Sequence, residues 1–150
     1  MNFPLIQKIA DVRRALAELR AERLVEYPVI WTGETTNPVI GNGTLVGMYW
    51  REQYTCCVQV QLNIGSTTTL GTGQWHFSLP MLPRAEMSWT GGAGFYDSGS
   101  RVYAGQSRVS ADFVRLFSET PGGASGFVQS NTPFGWGTGD IAWFNIAYPV

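Results

Sequence analysis

The residues able to do chemistry in this 150-residue chain are few and scattered. The single histidine, His76, stands between Trp75 and Phe77 in an alternating stretch, so as a strand residue it faces away from both. A serine-hydrolase arrangement needs a histidine, a carboxylate and an activated serine to converge, and no G-x-S-x-G turn is present to expose such a serine. Glycoside cleavage needs two carboxyl groups facing one bond. Here Glu86, Asp97, Asp112, Glu119 and Asp140 occur singly. The "GTG" and "GGAG" pieces are not phosphate loops, because no helix opening on Lys-Ser or Lys-Thr follows them. Cys56 and Cys57 are adjacent, and a bridge between neighbours would strain the peptide that joins them. Two free thiols are expected, Cys56 inward and Cys57 outward or in a subunit contact. Zinc needs more ligands than these at defined spacings. A non-catalytic protein with no metal and no cofactor is the expectation.

The aromatic side chains are a stronger signal. Six Trp, six Tyr and eight Phe stand in a chain of only 14% charged residues. Trp50, Trp75, Phe77 and Phe117 fall in strand-like stretches and are expected in the core. Trp89, Tyr96, Tyr103 and Trp136 stand beside Gly, Asp and Ser, where turns can leave a ring exposed. Exposed rings stack on the C–H faces of sugars while amides, carboxylates and guanidinium groups bond the hydroxyls. Asp97, Arg101, Gln106 and Asp140 can supply that polar part. The competing assignment for each of these rings is packing inside a turn or along an oligomer axis.

Composition narrows the classes further. A net charge of -1 gives no basic footprint for nucleic acid. No apolar run approaches the roughly 20 residues of a membrane span, so no membrane insertion is expected. The first 20 residues lack the charged start, apolar centre and cleavage site of a secretory signal. Cytoplasmic synthesis, with release by another route such as lysis, is expected.

Two regions must position the rings. Residues 1–26 hold nine of the 21 charged side chains and no glycine, whereas 27–150 hold all 18 glycines. Tyr27-Pro28 marks the boundary, since a residue before proline disfavours helix. Within 1–26, Leu5, Ile9, Val12, Leu16 and Leu19 alternate at spacings of four and three, a heptad seam opened by Pro4 in the first turn. Fewer than three heptads are marginal alone. Such a helix either associates in parallel with copies of itself or folds back onto its own β domain, and a rigid Tyr-Pro joint without a Gly/Ser linker disfavours the reversal.

Region 27–150 reads as strands. "TLVGMYWRE" (44–52) and "YTCCVQVQLNIG" (54–65) form a hairpin in which Cys56, Val58, Val60, Leu62 and Ile64 share one face. Further strands are expected at 73–80, 84–91, 93–99, 100–110, 113–118 and 140–150, with 32–43 a turn-rich loop. Many short strands between turn signals predict a mainly β fold: a short N-terminal coiled-coil helix, then an antiparallel, jelly-roll-like β-sandwich.

The segments W-x-G-x-T-T-N-P (31–38), I-G-N-G-T-L (40–45), G-S-T-T-T-L-G-T-G (65–73) and W-x-F-S-L-P (75–80) together resemble the C-terminal domain of phage minor tail proteins and tail fibres, especially those of actinobacterial phages and prophage-like particles. The resemblance is strongest over 31–80 and does not cover 1–26. It implies a homotrimer on a virion that contacts the host surface; the heptad seam makes residues 1–26 the expected trimeric stem, similar to the short coil before such domains in many fibres, and 27–150 the expected head. Fibres of this kind carry a longer shaft, so a small separate fibre, a tail-tip subunit, a head decoration or a piece cut from a longer protein is expected. The expected function is recognition of a host-surface component, a glycan above all, by loops 88–103 and 131–140, with other virion proteins held through the helix. Three weak sites on one stem gain avidity on an arrayed polymer. The alternative is a structural virion decoration or head fibre that binds no ligand.

Overall fold

A computed structural model describes residues 3–20, 24–84, 87–119 and 125–150. Helix α1 (Phe3–Arg20) opens the chain. Leu5, Ile9, Val12 and Leu16 of its seam are 46–58% exposed, so they are not packed on the β region. Leu19 lies on the helix, but its side chain is outside the described residues.

Ten strands follow among the described residues: β1 (Val25–Tyr27), β2 (Trp31–Gly33), β3 (Thr44–Glu52), β4 (Thr55–Asn63), β5 (Trp75–Ser78), β6 (Thr90–Asp97), β7 (Arg101–Ser110), β8 (Phe113–Glu119), β9 (Ser125–Phe127) and β10 (Ile141–Pro149). All recorded pairings are antiparallel. They join into one sheet of order β1-β3-β4-β10-β6-β7-β8-β5-β2, with β9 also paired to β8. The ladder is thus continuous where two separate sandwich sheets were expected.

Covalent geometry forces that sheet to curl. Strands β1 and β2 lie at opposite ends of the order, yet residues 28–30 alone connect them. A flat nine-strand array would set its edges roughly 38 Å apart at ordinary strand spacing. The connection from Tyr27 to Trp31 reaches at most about 14 Å. The sheet therefore wraps round until its ends meet. Ser78 receives the closure: its Oγ accepts from Ile30 N at 2.8 Å, its N donates to Ile30 O at 2.9 Å, and its carbonyl accepts from Tyr27 Oη at 3.2 Å. Just beyond, the Tyr148 hydroxyl of β10 donates to Met81 O at 2.9 Å.

The inner face fills with rings. Trp75 and Phe77 of β5 are essentially inaccessible. Phe77 meets Phe144 of β10 at 5.3 Å, although three strands separate β5 from β10 in the sheet. Trp31 packs on Trp75 at 4.8 Å, and Trp136 packs on Trp75 at 5.0 Å. The Trp75 indole donates to Leu70 O at 3.0 Å, so its buried N–H is satisfied. Alternation supplies the rest of the core: Cys56, Val58, Val60 and Leu62 from β4, and Ala142, Phe144, Ile146 and Tyr148 from β10.

Several expectations change. Residues 84 and 87–89 are not strand, and β6 begins only at Thr90; 85–86 lie outside the described residues. Val25 and Glu26 already pair with β3, two residues before the expected boundary at Tyr27. Loop 32–43 starts as β2 and then zips against 65–73 through bridges Thr36↔Thr72 and Val39↔Thr69. Asn42 Oδ1 accepts from Thr67 N at 2.9 Å, and Thr68 Oγ1 donates to Ile40 O at 2.6 Å. Gly41 and Gly71 hold positive φ in this pair of loops. The Thr, Asn and Gly of the shared motifs therefore build scaffold.

Because Tyr148 fastens β10 to the chain beyond β5, Tyr148→Phe is expected to cost about 1 kcal/mol by leaving a part-buried carbonyl without its donor. A lower denaturant midpoint at unchanged slope would register that loss.

Candidate functional site

The residues singled out in the sequence separate into two places. Trp89 precedes β6 and is half-buried, its carbonyl accepting from Val109 N at 2.8 Å. Tyr96 and Asp97 lie at the other end of the same strand, roughly 20 Å away. There the structure does bring the two expected segments together. Asp140 Oδ1 accepts from Ser98 N at 2.8 Å and Oδ2 from Gly137 N at 2.6 Å, tying the β6–β7 turn to the loop before β10. Asp140 is only 4% exposed, so its carboxylate is occupied in organising the loops. Tyr96 Oη accepts from Gly99 N at 3.3 Å.

Beside this joint runs a line of aromatic contacts. The Arg101 guanidinium lies 5.3 Å from the Tyr103 ring, Tyr103 is 5.1 Å from Phe134, and Phe134 is 4.5 Å from Trp136. Trp136 is 7% exposed, and its indole donates to Thr132 O at 3.1 Å. The ring belongs to the core, against the expectation of an exposed turn tryptophan. Arg101 stays exposed and Tyr103 half-exposed, so these two keep a surface to offer.

A concavity lies elsewhere, on the outer face of β3, β4 and β10. It is a groove of about 490 Å³. Register builds it: Val46 lies opposite Gln61 and Gln61 opposite Trp143, while Met48 lies opposite Gln59 and Gln59 opposite Asn145. Each row crosses three strands on the side away from the core. Trp143 is 38% exposed, the floor around it being aliphatic Val46 and Met48. Four amide side chains, Gln59, Gln61, Asn63 and Asn145, supply paired donors and acceptors without charge. Three of them are held in place: Asn63 Nδ2 donates to Thr44 Oγ1 at 2.6 Å, Gln61 Nε2 donates to Asn63 Oδ1 at 3.0 Å, and Asn145 Oδ1 accepts from Gly92 N at 3.0 Å. A flat ring among fixed amides is chemistry suited to a saccharide.

The indole lies over Gly94 of β6, where a Cβ would collide with Trp143. That contact explains why β6 carries glycine opposite Trp143. Sequence reasoning missed this site although the signal was present: with Ala142, Phe144, Ile146 and Tyr148 inward, Trp143 and Asn145 must point out. Trp50 follows the same parity. Expected in the core, it is half-exposed on the outer face opposite Cys57. Phe117 is likewise half-exposed, with its ring 4.1 Å from Phe127.

His76 faces outward, stacked on Phe113 at 4.1 Å. Burial, and then the nearby Arg115, hold its pKa below the ordinary histidine value, with Glu34 and Asp112 pulling the other way. These surroundings favour the neutral imidazole. Burial pushes the Cys56 thiol up, the opposite of a reactive cysteine. Among the described residues no three His, Cys, Asp or Glu are grouped to hold a metal, and no helix is long and apolar enough to cross a membrane.

With this geometry in hand, the chain can be set beside known proteins. No family model matches it, and no solved structure matches it. The Mu-like prophage FluMu defective tail fiber protein of Haemophilus influenzae is 30% identical over 133 residues, covering 83% of this chain and 20% of that protein. The chain thus spans about a fifth of the length of the curated relative it matches. The match supports the tail-fibre part of the resemblance and does not bear on its actinobacterial part.

Replacing Gly94 by alanine is expected to displace the Trp143 ring while leaving the inner face packed. In a 1H–15N spectrum the Trp143 indole resonance should move and those of Trp75 and Trp136 should hold.

Proposed function

We propose that this chain is a non-catalytic module of a phage tail fibre that recognises a glycan on the host cell surface. The observation that carries the reading is the groove in which Trp143 lies among the amides of Gln59, Gln61, Asn63 and Asn145. Sugars present alternating C–H faces and hydroxyl rims, and this surface offers a ring for the first and uncharged donors and acceptors for the second. Arg101 and Tyr103, at the far end of β7 from Ser110, are peripheral contacts. Similarity to a tail fibre protein supports placing the module on a virion, where other virion proteins are its partners.

Helix α1 assembles three copies in this reading. Its seam of Leu5, Ile9, Val12, Leu16 and Leu19 has heptad spacing, and the four members with described side chains are about half exposed. Burial of such a stripe between parallel helices removes apolar area from water and gives the trimer its stem. Three grooves on one stem then bind a repetitive polymer through avidity.

A glycan array probed with the full chain tests this. Binding to a bacterial envelope polysaccharide is expected, weakened at least tenfold by Trp143→Ala, while light scattering gives three times the chain mass for both proteins. Undiminished binding by the variant would remove the groove as the site. No binding by the native chain to any envelope glycan would leave a structural decoration.

A further inference from the structure

We propose that the outer face of β5, β7 and β8 holds an anionic substituent, a phosphate or carboxylate of a host-surface polymer, between Arg108 and Arg115. For the identity of the polymer the inference rests on the glycan reading above; the anion site stands on its own geometry. The register places Arg108 directly opposite Arg115, and Arg115 directly opposite His76. Their neighbours Val109 and Val114 are buried, so the arginines share the outer side. Directly opposed side chains are about 5 Å apart at Cβ, and like charges there repel. A bound anion converts that repulsion into attraction.

The two guanidinium groups are held by neutral partners. Arg108 Nε and Nη2 donate to Ser88 Oγ at 3.2 and 2.8 Å. Arg115 Nη1 donates to Gln74 Oε1 at 3.2 Å and its Nη2 to Ser110 Oγ at 2.9 Å. Its Nε is buried without a partner. The Arg115 guanidinium also lies over the rings of Phe127, at 4.6 Å, and Phe113, at 5.7 Å. Such stacking fixes the planar fork. Preorganised, neutrally supported arginines are the arrangement that suits phosphate and carboxylate oxygens. Glu34 and Asp112 are the acidic groups felt at His76. Neither is among the recorded hydrogen-bond partners of the two arginines.

The test is a titration of the full chain with inorganic phosphate at pH 7.5 and constant ionic strength, followed through arginine Nε–Hε resonances. The Arg108 and Arg115 signals are expected to shift and saturate in the millimolar range. Arg108→Gln should raise the midpoint at least fivefold without lowering the melting temperature. Shifts that grow without saturating, or that are as large at Arg51, Arg84 and Arg101, would overturn the site. Mannose 6-phosphate is expected to bind as tightly as phosphate, and mannose not to shift these signals. Exclusion of the sugar phosphate would overturn the polymer assignment and leave a free-anion site. Trp143→Ala should leave the phosphate titration unchanged, so failure of the groove and failure of this site are read separately.

Discussion

Closure of the sheet at Ser78 is the constraint on which the remaining structure depends. Strands next to each other in sequence, β1 and β2, occupy opposite edges of the order, and three residues cannot span a flat sheet. Once the sheet wraps, its inner face becomes a small closed volume. Large rings fill it: Trp75, Phe77, Phe95, Phe144 and Tyr148 are each at most 4% exposed. The hydroxyls of Tyr27 and Tyr148 convert that packing into a latch by bonding the carbonyls of Ser78 and Met81. Burial raises the pKa of both phenols well above the usual range, so the latch keeps its donors at every physiological pH.

Closing inward decides what is left outside. The outer face of β3, β4 and β10 carries amides, aliphatic groups and Trp143, while that of β5, β7 and β8 carries His76, Arg108 and Arg115. Both surfaces are rows written across strands by register, so neither exists in any single segment of the chain. Rigid strands hold these side chains, whereas the turn joined by Asp140 spends its polar groups on its own backbone. Side chains supported in this way on a closed sheet would lose little freedom on binding a ligand.

Much of this was legible in the sequence. The helix, the β3–β4 hairpin with its inward Cys56, the outward His76 and the strand at the C-terminus all follow from periodicity. Strands β1, β2 and β9, of three residues each, are too short to show any period. Sheet closure is non-local and leaves no mark in a window of neighbouring residues. Trp136 misled because glycines flank it, yet the loop folds its ring inward against Trp75. Trp50, expected in the core, lies on the outer face because parity along β3 sets it opposite Cys57, and the same parity along β10 turns Trp143, which is not among the expected site residues, to the outside. The tail-fibre motifs at 31–45 and 65–73 proved to be the zipped loops, which is why they identify a scaffold and name no ligand.

Amide chemical-shift mapping with a bound envelope polysaccharide tells whether recognition lies on the outer sheet face. Changes are expected to concentrate at Gln59, Gln61, Trp143 and Asn145, with the turn at 97–101 and the loop at 131–140 little affected. Changes confined to that turn and loop would move recognition off the sheet face.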